Sequence, residues 1–177
     1  MLIASQKRKE NIAEYLLYMW QVEDLIRANG FNIENIQKSI IDKFDQPAEV
    51  KKEMHEWYQN LINRMLGEGV KEKGHIQLNK NILIELNDLH RSLLRSAQET
   101  AYGGKFYQIL PYLTELRDKS NASGSENDIE LCFNALYGYM LLRLQRREIS
   151  AETAEGIKQI SSFIALLSQK YSQDKAG

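Results

Sequence analysis

Apolar residues return every three or four positions along almost the whole chain, and strand-like alternation is nearly absent, so the pattern predicts an all-α fold. About six to seven helices can be placed. The first is expected from about Arg8 to Ala28, where Asn29-Gly30 supplies a left-handed stop. Asn32 can cap a short second helix whose Ile33, Ile36, Ile40 and Phe44 share a face. Pro47 fits the first turn of a third, which carries Val50, Met54, Trp57, Leu61 and Met65 and ends at Gly67 and Gly69.

A fourth helix from about Leu78 to Glu99 places Ile82, Leu86, Leu89 and Leu93 on one side, and Gly103-Gly104 is expected to break the pattern after it. The fifth carries Phe106, Ile109, Leu113 and Leu116, with Pro111 either kinking it on the solvent side or starting a shorter helix. SNASGSEND follows as the clearest loop, and Ser125 with Asp128 resembles a capping arrangement. From Ile129 to Leu144 apolar residues point in nearly every direction around the axis, which predicts a buried central helix over about 129–147. Ser150 caps the last helix, striped by Ile157, Ile160, Ile164, Leu167 and Tyr171.

A chain of 177 residues suits one domain, 1–177, with a core that needs no disulfide or metal. Its formal net charge of −1 sets up no field for nucleic acid or an anionic membrane. The longest uncharged run, Leu131 to Leu142, is too short to span a bilayer, and the N-terminus lacks the apolar stretch of an export signal. A cytoplasmic protein is therefore expected. The lone Cys132, inside an apolar run, reads as a buried inert thiol.

No phosphate-cradling glycine loop and no HExxH motif occurs. Of the three histidines only His75 has an acid three positions before it, Glu72, and that single ExxH has no second copy to complete a carboxylate-bridged metal pair. No cofactor and no metal is implied, and the chain reads as non-catalytic. Three groups of residues remain as candidates. His90 falls on the apolar stripe of the fourth helix, where a histidine is normally a bonded core group. The sharper reading makes it an acid or base in an internal pocket with Tyr137 and Tyr139, for a small-molecule ligand of unknown identity. Arg143, Arg146 and Arg147 form a candidate anion contact, although helix-dipole pairing explains them as well. Leu17 and Trp20 fall outside the core arc of Ile12, Tyr15, Met19, Val22 and Ile26, so they bury either against another helix or against a partner, the simplest being a second copy.

The segments KRKENIAEYLLYMWQVEDLIRA and ALYGYMLLRLQRREISAETAEGIKQISSFIALLSQKY resemble a family of short all-helical proteins from Bacteroidetes-type bacteria, catalogued as a domain of unknown function. The resemblance spans the chain and implies a single helical domain in the cytoplasm, with no catalytic or binding residues to carry over. The leading expectation is a helical binding or interaction protein without catalytic activity. The alternative is a small-molecule-binding or enzymatic bundle with a pocket near His90.

Overall fold

Helix replaces strand throughout the computed structural model, which describes residues 2–120 and 126–176. Among these, α1 (Leu2–Glu10), α2 (Ile12–Ala28), α3 (Ile33–Ser39), α4 (Ala48–Gly67), α5 (Gln77–Arg95), α6 (Thr100–Ser120), α7 (Asp128–Leu144) and α8 (Ala151–Ala176) follow in order, with a 3-10 turn at Ile41–Lys43. The helices cluster into two compact units, Met1–Asn81 and Ile82–Gly177, the division falling inside α5.

The first unit holds one helix more than the periodicity predicts. Asn11 is extended, at φ −155° and ψ 107°, and its side-chain oxygen accepts from the backbone N–H of Ala13 and Glu14, so it caps α2 and ends α1. An Asn side chain competes with the helix ladder for backbone donors, so the expected helix starts at Ile12 and not at about Arg8, and a separate helix precedes it. Asn32 caps α3 as expected, accepting from Glu34 and Asn35. Of the face expected there, Ile36 is buried and Phe44 is exposed. Pro47 precedes α4 directly, and α4 buries Met54, Tyr58, Leu61, Ile62 and Met65. Burial raises the Tyr58 phenol to about 12, helped by nearby Tyr18, so it stays protonated through the neutral range.

In the second unit α6 runs unbroken through Gly103-Gly104 and through Pro111. The expected glycine break is absent because Tyr102, Phe106, Ile109 and Leu113 are buried on one face, and that packing outweighs the roughly 1 kcal/mol by which each glycine disfavours helix. Pro111 is exposed, which leaves the Tyr107 carbonyl it cannot bond on a solvent-facing side. The Arg117 guanidinium, 2.5 Å from the Asp128 carboxylate, ties the end of α6 to the start of α7. Asn127 caps α7 by accepting from Glu130; the proposed Ser125 cap lies outside the described residues.

The buried central helix needs correction. α7 packs on α6 and α8 and buries Ile129, Leu131, Cys132 and Phe133, but no residue from Asn134 to Leu144 is buried. Leu142 is 38% exposed and Leu144 69%. Two neighbouring helices cover only part of a helix's circumference, so an apolar residue on the remaining side stays in contact with solvent however the sequence is patterned. Ser150 caps α8 by accepting from Thr153 N–H. Within α8, Gly156 makes room for α6: a Cβ there would sit 2.8 Å from the Tyr112 ring.

Candidate functional site

The cluster closest to a site is built on α2 of the first unit. Glu23 lies between Val22 and Ile26 on the apolar side of that helix, and it is fully buried. One carboxylate oxygen accepts from the Ile76 backbone N–H at 3.0 Å and from the Asn79 side-chain amide at 2.8 Å. The other lies 2.5 Å from Nδ1 of His75. Because a carboxylate accepts, that nitrogen donates, and the second ring nitrogen of a side chain 26% exposed is left over. Trp20 stacks on the imidazole, with ring centroids 4.1 Å apart and planes 11° from parallel.

An imidazole oriented by a carboxylate is the arrangement found at metal and acid–base sites. Here the remaining partners point to a structural use. Ile76 immediately precedes α5, so Glu23 neutralises the positive end of that helix, and Glu68 accepts from the next N–H, Gln77, at 2.5 Å. One turn further along α2, Arg27 donates to the carbonyls of Lys71, Val70 and Gly74 and pairs with Asp24 at 2.8 Å. Glu23 and Arg27 together hold the α4–α5 connection by its backbone. Among the described residues no three His, Cys, Asp or Glu side chains group to hold a metal ion.

His90 belongs to the second unit and is 3% exposed. A hydrogen bond of 2.7 Å joins its Nδ1 to the Tyr102 hydroxyl, while Phe106 meets the ring edge-on at 4.6 Å and Phe163 at 5.8 Å. The hydroxyl that bonds His90 comes from Tyr102 on α6, not from the expected Tyr137 or Tyr139, and three rings, those of Tyr102, Phe106 and Phe163, meet the imidazole. Tyr137 and Tyr139 are half-buried on α7. Burial pushes the Cys132 thiol far up, with Asp128 adding to the effect, so it is neutral at physiological pH.

Burial also lowers the His90 imidazole below its ordinary value, against a smaller opposing effect of Asp128. The unfolded chain takes up a proton near pH 6.5, before the folded imidazole does, so this residue's contribution to stability is complete above about 6.5 and declines as pH falls below it. Urea midpoints at about pH 7.5 and about pH 5.5 should therefore differ more for the wild type than for His90→Gln. An equal acid-side loss in both proteins would remove His90 from the pH response.

The other candidate residues lie elsewhere. Trp20 is 2% exposed and stacked on His75, so of its two expected uses, burial within the chain or contact with a partner, the first describes it. Leu17 is half-buried. Arg143, Arg146 and Arg147 are exposed at the end of α7; Arg143 lies 5.9 Å above the Tyr139 ring, and Arg146 takes the left-handed conformation, φ 54°, just past the helix.

The family model for the Domain of unknown function (DUF4924) matches residues 1–177. This chain belongs to the DUF4924 family. No curated protein and no solved structure matches it. Membership in DUF4924 covers the chain end to end and brings no activity with it. Among the described residues no helix is long and apolar enough to cross a membrane.

Glu23 and Asn79 were not anticipated as polar partners. Both had a signal: Glu23 is four residues past Met19 and three before Ile26, and Asn79 is three before Ile82, so each falls on an apolar helix face. A second unanticipated feature is a small cleft of about 60 Å³ beside Tyr112 and Gly156, edged by Glu115, Lys119 and Glu152.

Proposed function

We propose that this DUF4924 chain is a helical interaction module, not an enzyme, and that it works through the later half of α7. The observation that carries the reading is the contrast between sequence and burial there. From Leu131 to Leu142 the helix has no charged side chain, yet nothing past Phe133 is buried. Apolar surface left in water forgoes roughly 25 cal/mol per Å², and contiguous surface of this kind marks contact sites. His90, 3% exposed and bonded to the Tyr102 hydroxyl, supports the same reading, since a buried, bonded imidazole is an ordinary core group. We place the module in the cytoplasm, where a lone thiol such as Cys132 stays reduced.

A photo-crosslinking residue at Leu142 in living cells tests this. It should give a discrete cross-linked product that is missing when the label sits at exposed Glu56 on α4. A product pattern no different from that of the Glu56 label would overturn the proposal.

A further inference from the structure

We propose that His75 is a phosphoryl-acceptor site, whose Nε2 takes a phosphoryl group from an activated donor while Glu23 acts as the positioning residue. The inference rests on the separate uses of the two Glu23 oxygens. One takes the Ile76 N–H and the Asn79 amide and so holds the start of α5. The other meets Nδ1 of His75, at 2.5 Å. The cap on α5 does not need that second bond, and its consequence falls on the imidazole. With the Nδ1 proton donated to the carboxylate, the neutral ring carries its lone pair on Nε2. That nitrogen reaches solvent and bonds no side chain among the described residues. Trp20, stacked on one face, keeps the ring in the plane that Glu23 sets.

A histidine with a free, solvent-reaching nitrogen suits a metal or an electrophile. Among the described residues no three His, Cys, Asp or Glu side chains group to complete a metal site, which leaves the electrophile. Exposed Lys71 and Lys73, four and two residues before His75, favour one that carries negative oxygens. Of the acids in the same connection, Glu68 is taken up by the Gln77 N–H and Glu72 offsets one lysine. The step is a displacement at phosphorus. The Nε2 lone pair forms the N–P bond, the bond from phosphorus to the leaving group breaks, and that group departs with the electron pair. The ring becomes cationic and keeps its Nδ1 proton against the Glu23 carboxylate, which stabilises the charge as it grows. Attachment at Nδ1 instead would displace that proton and break the bond to Glu23, so Nε2 is the atom modified.

Two other histidines of the chain serve as controls. His55 has its Nδ1 2.9 Å from the Gln37 side-chain oxygen, a neutral partner in place of a carboxylate, and His90 is 3% exposed. Full-length protein is treated with phosphoramidate, whose leaving group is ammonia, in mildly alkaline solution, and the acid-labile phosphate is located by mass spectrometry. His75 should be modified at least about tenfold faster than His55, and His90 not at all. Glu23→Gln should slow His75 by about tenfold and leave His55 unchanged, with the circular dichroism spectrum of the wild type. Imidazole nitrogen NMR should show a pyridine-type Nε2 at His75 in the wild type and a mixture of tautomers in Glu23→Gln. Modification of His75 no faster than that of His55, a Glu23→Gln protein as reactive as the wild type, or a pyrrole-type Nε2 would overturn the assignment. Should Glu23→Gln not fold, the His75 to His55 ratio and the nitrogen spectrum of the wild type decide it alone.

Discussion

Glu23→Ala should destabilise the protein by about 3–5 kcal/mol, the usual consequence of removing one member of a buried charged or hydrogen-bonded group. The substitution leaves the Ile76 N–H and the Asn79 amide with no acceptor, takes the carboxylate from His75, and uncaps α5. Asn79 is fully buried and water does not replace the lost acceptor easily. Glu23→Gln keeps a carbonyl oxygen for Ile76 and should lose clearly less. Urea denaturation followed by circular dichroism gives the free energies, and hydrogen exchange should show the first deprotection in Glu23→Ala at residues 70–80. A loss under about 1 kcal/mol would mean that α5 starts where it does for other reasons.

Phe163→Ala should cost a similar amount, about 3–5 kcal/mol, through lost transfer energy and the cavity left behind. Phe163 has no exposed surface, and its ring lies 5.3 Å from Tyr102, 5.6 Å from Phe106 and 5.8 Å from His90. Phe163→Leu retains most of the volume and should cost less than half as much. Denaturant melts of the two variants check the order; equal and small losses would show a loosely packed cluster with room to spare, the condition a ligand pocket at His90 requires.

The all-helical class, the caps at Asn32 and Ser150 and the buried Met54, Leu61 and Met65 of α4 and Ile160, Ile164 and Leu167 of α8 were legible because each depends on residues within a turn or two. The cap at Asn11 is equally local; the helix before it was missed because Ser5 to Asn11 carries no apolar residue to show a period. His90 read correctly as a bonded core histidine, but its partner, Tyr102, follows only once α5 and α6 pack together.

By itself, then, the sequence determined that the chain is helical and where most helices begin and end, since these follow from backbone capping and a repeat of 3.6 residues. Only the tertiary structure decided which apolar and polar side chains are covered. Glu23 reaches His75, Ile76 and Asn79 across more than fifty residues of chain, and no local spacing encodes such a meeting. The same reason separates the two halves of α7. Both are apolar all round, but burial is a property of the neighbours a helix acquires, and past Phe133 α6 and α8 leave part of it open.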